Sequence, residues 1–164
     1  MKKARYLLIA GLLVLDQVVK YIVRAKMALG QSIPLLDGVF HLTYVQNTGA
    51  AFNMFEGMQT FLQVVPFAAL IFAVWYMERH LNTHWTQPLA LILVISGGLG
   101  NLIDRVLMGF VTDMFDFCLI DFPVFNVADI YVSLSVVALF ALMIFKYKEE
   151  DFDVIYDSCV RFKK

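Results

Sequence analysis

Charged and amide side chains inside long apolar runs are the first residues in this sequence that could do chemistry. Placing an ionisable group in hydrocarbon costs roughly 2.5–3.5 kcal/mol on insertion scales, so each one is a functional candidate. Asp16 and Lys20 are spaced i, i+4 in the first apolar run, which puts them on one helix face with the acid N-terminal to the base. That spacing favours an internal ion pair over direct catalysis. Asn101, Asp104 and Arg105 follow at i, i+3 and i+4 in a later run, just after Ser96, Gly97, Gly98 and Gly100. The small residues let a neighbouring backbone approach closely, and Arg105 lies near a helix C-terminus, where the dipole favours a cation. One reading is a packing patch followed by a polar cap. The other has Asn101 and Arg105 reaching into a site, where they hold a substrate carbonyl or a catalytic acid.

Carboxylates supply the second candidate constellation. The connection after Arg105 carries Asp113, Asp116 and Asp121, and the next apolar run opens with Asn126-Val127-Ala128-Asp129. Asn126 as N-cap with Asp129 three residues on is an ordinary helix start. The loop acids nevertheless return to the level of Asp129, and two carboxylates close together in a low-dielectric site cannot both ionise easily. One proton shared by two acids is an arrangement that activates water for amide hydrolysis. Other chemistries find little support. His41, His80 and His84 show no metal-ligand spacing, no Cys-His or Ser-His arrangement is apparent, and no glycine loop has a phosphate-binding context. Neither a metal nor an organic cofactor is expected.

The elements that must position these groups are membrane helices. Of the 164 residues 60% are hydrophobic and 16% charged, with a mean hydropathy of +0.72, so a bilayer is the expected solvent. The net charge of −1 gives no field that would attract nucleic acid. Four stretches, 6–23, 61–77, 89–103 and 130–145, approach the length that crosses a hydrocarbon core of roughly 30 Å. The last two reach it only by including Asn101, Asp104 and Arg105, or Asn126 and Asp129. The Lys2-Lys3-Ala4-Arg5 start resembles a signal peptide, but Asp16-Gln17 stands where a small-residue cleavage site should be, so a retained first helix is expected. Lys2, Lys3, Arg5, Arg79, Lys146, Lys148, Arg161, Lys163 and Lys164 flank helix ends that share one side if the segments alternate. That side is expected to be cytoplasmic, with the polar clusters in the outer half of the bilayer.

Between the first two helices, 33–36 and 39–45 flank Asp37-Gly38, a two-residue turn signal for a hairpin. A small sheet on the outer membrane surface is expected, followed by an interfacial segment at 50–55. Cys118 and Cys159 are too few for a disulfide framework and fall on opposite sides of this topology. The fold class is thus an all-α membrane protein of one domain, 1–164, with four transmembrane helices, a small extracytoplasmic β-sheet between helices 1 and 2, and a cytoplasmic tail at 148–164.

Five blocks of residues, in order, carry a resemblance to a known family. They are Asp16-Gln17-Val18-Val19-Lys20, Asn47-Thr48-Gly49-Ala50-Ala51-Phe52, Gly97-Gly98-Leu99-Gly100-Asn101-Leu102-Ile103-Asp104-Arg105, Gly109-Phe110-Val111-Thr112-Asp113, and Phe122-Pro123-Val124-Phe125-Asn126-Val127-Ala128-Asp129. Together they resemble the lipoprotein signal peptidases, or type II signal peptidases. The resemblance implies a membrane-embedded aspartyl endopeptidase that cleaves diacylglyceryl-modified prolipoproteins before the lipidated cysteine. It also implies a multi-pass protein of the bacterial inner membrane, with cytoplasmic termini and an active site near the outer leaflet. Asp113 and Asp129 would be the catalytic dyad, and Asp16, Lys20, Asn47, Gly49, Asn101, Asp104, Arg105 and Asn126 would support them or bind substrate. Where the family often has Phe after the first aspartate this chain has Met114, and Asp116-Phe117 offers a second Asp-Phe pair. The spacing from Gly109 and Val111 fits the family's motif, so the resemblance favours Asp113, with Asp116 as the alternative. The partners expected are the prolipoprotein substrates and membrane lipid, with the enzyme a monomer. The rival reading is a proton-coupled carrier or channel, since intramembrane acids also mark ion pathways.

Overall fold

The computed structural model describes residues 2–49, 57–80 and 86–145. The expected interfacial segment at 50–55, the tail at 148–164, His84 and Cys159 lie outside the described residues. Four helices account for most of the rest: α1 (Lys2–Lys26), α2 (Gln59–His80), α3 (Thr86–Met108) and α4 (Val127–Phe145). Three of them are long and apolar enough to cross a membrane, over Lys2–Lys26, Gln59–Arg79 and Leu89–Met108. α4 is equally apolar, but its Val127–Ala141 stretch is shorter.

The distribution of side chains is inverted relative to a protein folded in water. Leu7, Val14, Val18, Phe67, Phe72, Val137 and Phe140 point outward, whereas Asp16, Lys20, Ser96, Asp104, Asn126 and Ser135 are fully buried. A hydrocarbon solvent favours that arrangement, since it drives no apolar group inward and cannot hydrogen-bond a polar one.

α3 is the central helix and packs against α1, α2 and α4. Its small residues permit this. A Cβ at Gly97 would collide with the Ala128 carbonyl oxygen and with Val132 of α4, and a Cβ at Gly98 would press on Leu70 of α2. One at Gly100 would strike the Asp16 carboxylate. The obstacle at Gly97 is backbone, which cannot rotate away. Gly97→Ala is therefore expected to destabilise the protein toward the upper end of the roughly 1–3 kcal/mol typical of overpacking. A detergent-based unfolding curve unchanged from wild type would contradict this. Below the glycines Ile9, Leu70, Ala73, Met77, Ile92, Ile95 and Leu102 form the apolar core.

The sheet has three antiparallel strands, β1 (Ser32–Leu36), β2 (Phe40–Asn47) and β3 (Val111–Asp116), in the order β1-β2-β3. The Asp37-Gly38 turn forms, with Val39 donating back to the Leu36 carbonyl at 3.0 Å and Gly38 at φ +69°, although β2 begins at Phe40 rather than at 39. More consequentially, the sheet is not confined to the segment between helices 1 and 2. Its third strand comes from the α3–α4 connection, so Asp113 and Asp116 sit on a strand rather than in a loop. Val45 pairs with Asp113 and His41 with Asp116, with a register shift between Leu42 and Val45. Tyr44 and Met114 are buried against Val23 and Met27 at the end of α1, which docks the sheet onto the bundle.

Candidate active site

The site begins at the N-terminus of α4. The Asn126 side-chain oxygen accepts the Asp129 backbone N–H at 3.1 Å, and Asp129 Oδ2 accepts the Asn126 backbone N–H at 3.0 Å. This is the reciprocal box that the i, i+3 spacing predicts, and it satisfies two donors of the first turn. Asn126 does more. Its Nδ2 donates to Asp113 Oδ1 at 2.6 Å, so one asparagine holds both carboxyl groups. Asp113 and Asp129 line a common cleft of about 500 Å³, together with Asn47, Asn101 and Arg105. Its walls are mainly apolar, with Phe122, Pro123, Val124, Phe125, Ile130 and Leu134 among them.

Each carboxyl group has a second amide donor. Asn47 at the end of β2 donates to Asp113 Oδ2 at 3.0 Å, while its own oxygen accepts the Gly49 N–H at 2.9 Å. Asn101 donates to Asp129 Oδ1 at 2.8 Å. Arg105 donates from Nη2 to the Gly49 carbonyl at 2.9 Å, and among the described residues its buried Nε has no hydrogen-bond partner.

Behind the cleft lies a fully buried ionic network. Lys20 Nζ lies 3.0 Å from Asp16 Oδ2, 3.3 Å from Asp104 Oδ2 and 2.8 Å from Asn101 Oδ1. The expected Asp16–Lys20 pair is present, but as part of a triad with Asp104. Asp16 also accepts the Ala128 N–H of α4 at 2.9 Å, and Asp104 accepts the Thr112 N–H of β3 at 3.1 Å. Gln17 donates to Asp16, to Asp104 and to the Gly100 carbonyl, each at 3.1 Å. The network therefore ties α1 and α3 to the start of α4 and the start of β3, the two elements that carry Asp129 and Asp113.

The sequence reading placed Asn101, Asp104 and Arg105 on one face. Asn101 and Arg105 line the cleft while Asp104 turns to Lys20, and Asn101 reaches both, its Oδ1 bonding Lys20. Gln17, Thr112 and Arg24 were missed as supporting residues, the last bonding Thr112 Oγ1 at 2.9 Å. An amide inside an apolar run was the available signal for Gln17. Asp116 lies elsewhere, accepting the Thr43 hydroxyl at 2.7 Å.

Burial pushes the Asp113 carboxyl up from its ordinary 3.8 to about 6. The Asn126 hydrogen bond opposes this, the Asp129 charge adds to it, and Asn47 and Lys20 oppose it. A folded-state value above the unfolded one contributes stability that is complete below about pH 3.8 and is lost as pH rises through about 6. An Asn at 113 cannot titrate. The stability of Asp113→Asn relative to wild type is thus expected to improve by up to about 3 kcal/mol between pH 4 and pH 7. Denaturation midpoints in micelles across that range test this, and a difference independent of pH would refute it.

Residues 8–145 match a family model described as signal peptidase (SPase) II. A lipoprotein signal peptidase of Streptococcus pyogenes serotype M1 is 40% identical over 153 residues, which is 93% of this chain and 99% of the relative. A second, from serotype M5 (strain Manfredo), shows the same identity and coverage. Two solved structures, described as bacterial membrane enzymes determined by the in meso method at 2.3 and 1.9 Å resolution, are each 30% identical to it. They superpose with TM-scores of 0.83 and 0.80, covering 90% and 88% of this chain and 93% and 95% of theirs.

Proposed function

Because this chain belongs to the signal peptidase II family, and is thereby a bacterial membrane protease that removes signal peptides from prolipoproteins, we propose that it is an aspartyl endopeptidase. It cleaves immediately before the cysteine that bears diacylglycerol, and Asp113 and Asp129 are its catalytic pair. The observation that carries this reading is Asn126 holding one oxygen of each carboxyl group in a single cleft.

The two acids have different surroundings. Asp129 stands in the first turn of α4, where the helix dipole favours a carboxylate, and it accepts from an amide and a backbone N–H. Asp113 holds its proton up to about pH 6. Asp129 then takes a proton from water as that water attacks the scissile carbonyl, and Asp113 donates to the carbonyl oxygen. As the C–N bond breaks, Asp129 passes the proton it took from water to the leaving amine and Asp113 regains its proton from the tetrahedral hydroxyl, so the pair returns to its starting form. The Arg105 guanidinium, which lines the same cleft, stabilises negative charge developing on that oxygen.

The substrate keeps its acyl chains in the bilayer, so the scissile bond stays at the lipid boundary and the enzyme brings acids and water to it. In this reading all four helices span the membrane with both termini cytoplasmic. The sheet and cleft lie at the outer leaflet, and a monomer suffices. The apolar wall from Phe122 to Phe125 faces the lipid-bearing part of the substrate.

The test is leader release. Purified protein in detergent is expected to cut a diacylglyceryl-modified precursor peptide before the cysteine and to leave the unlipidated peptide largely uncut. Proton flux in liposomes without cleavage would instead support a carrier.

A further inference from the structure

A second set of chemically competent side chains lies on the sheet, outside the cleft. The ligand atoms of His41, Asp116 and Cys118 all fall within 4.8 Å of one another, and none of these residues lines the cavity that holds Asp113 and Asp129. His41 and Asp116 are paired across β2 and β3. Cys118 opens the short 3-10 turn Cys118–Ile120 that follows. That turn is anchored to the hairpin by the Leu119 N–H on the Val39 carbonyl at 3.4 Å and by Phe117 packed on Phe40 at 4.8 Å.

The hydrogen bonds around the cluster fix the histidine tautomer. Thr43 Oγ1 donates to Asp116 Oδ2 at 2.7 Å, which uses its single proton. In the 2.8 Å contact between Ser32 and Thr43, Ser32 must then be the donor. The 3.3 Å contact between Ser32 Oγ and His41 Nδ1 therefore needs the ring as donor. The proton sits on Nδ1 and the lone pair on Nε2. That Nε2 is buried and has no hydrogen-bond partner among the described residues. A neutral imidazole held through Nδ1, with Nε2 buried and unbonded and a carboxylate and a thiol beside the ring, is the arrangement of a metal-ligating histidine.

We propose that His41 Nε2, the Asp116 carboxylate and Cys118 Sγ form a three-ligand site for a borderline divalent cation, Zn²⁺ foremost, with water as the fourth ligand. Nitrogen, oxygen and sulfur donors together suit zinc, and three protein ligands leave one position open. Zinc bonds of roughly 2.0–2.3 Å require the donors to close by about 1 Å, which side-chain rotation of Asp116 and Cys118 supplies. Binding displaces the thiol proton to solvent and leaves the oxidation state of the sulfur unchanged. The Ser32–Thr43 chain links the outer sides of two ligands and supplies the orienting shell. The cation would clamp β2 to the end of β3, the strand that carries Asp113.

Cobalt reports on the ligands directly. Metal-free full-length protein in detergent is titrated with Co²⁺ and then with Zn²⁺. One Co²⁺ per chain is expected, with a thiolate-to-cobalt charge-transfer band that Zn²⁺ abolishes. Cys118→Ser should remove the band, and His41→Gln should weaken binding at least about tenfold, while Cys159→Ser leaves both unchanged. His41→Gln tests the same ligand set without touching the thiol. Circular dichroism of the metal-free variants separates loss of a ligand from loss of fold. Absence of the band at excess Co²⁺, its survival in Cys118→Ser, or its loss in Cys159→Ser would each overturn the site.

Discussion

Asp129→Asn and Asp113→Asn are each expected to lower the rate of leader release by on the order of 10³-fold or more while leaving a folded protein. Removing a positioned acid or base costs roughly 10²–10⁴-fold, and a pair that shares one proton loses both functions when either member is blocked. The double variant should therefore be no worse than the singles, since residues that act as a unit are grossly non-additive. The two substitutions differ in structural cost. At 129 the amide oxygen can still accept from Asn101 or from the Asn126 N–H, and losing one arm of the capping box costs about 1 kcal/mol. At 113 both oxygens face amide donors, Asn126 Nδ2 and Asn47 Nδ2, so a new amide meets a donor on one side. In metal-free protein Asp116→Asn is the control, since Asp116 bonds Thr43 and stands outside the cleft. Its activity should stay within a few-fold of wild type. Kinetics on the lipidated peptide with circular dichroism on each variant decide the matter. Substantial cleavage by either Asp129→Asn or Asp113→Asn would remove the dyad.

Lys20→Met carries the largest expected effect on stability. Lys20 stands between Asp16 and Asp104, all three with no exposed side-chain surface. Removing the cation leaves two buried anions with only neutral donors and the more distant Arg24, 3.9 Å from Asp104. Breaking a buried pair in this way typically costs about 3–5 kcal/mol, because the remaining charge stays desolvated. Activity should fall as well, through geometry. Lys20 bonds Asn101 Oδ1, which obliges the Asn101 amide nitrogen to face Asp129. Without Lys20 that amide can flip and present its oxygen to the carboxylate. Adding Asp104→Asn to Lys20→Met should recover part of the lost stability, since one of the two anions is then gone. Detergent-solubilised unfolding midpoints for the single and double variants supply the measurement, and a Lys20→Met midpoint equal to wild type would show that the network is not holding α1 to α3.

Zinc on the sheet and peptidolysis in the cleft are independent in their tests. Failure of leader cleavage leaves the His41–Asp116–Cys118 ligand set as it is, and failure of cobalt binding says nothing about Asp113 and Asp129.

Features decided within a few residues were legible from the chain alone. The apolar runs, the Asp16–Lys20 spacing, the Asn126–Asp129 helix start, the Asp37-Gly38 turn and the close-packing glycines all depend on periodicity or on neighbours three or four positions away. What the sequence left open involved pairing over long separations. Val111–Asp116 read as a loop because only β2, some 65 residues earlier, makes it a strand. The strand register then turns Asp113 toward Asn126 and Asp116 toward Thr43, a choice no local pattern makes. Gln17 was an amide in an apolar run with no partner visible in the sequence, and only α3 brings Asp104 and the Gly100 carbonyl beside it. Hydropathy and backbone preference act over one turn of helix, so sequence sets which segments form and which residues are too polar for lipid. Which acid meets which amide is a property of packing, and it was settled only when α1, α3, α4 and β3 closed around Lys20 and Asn126.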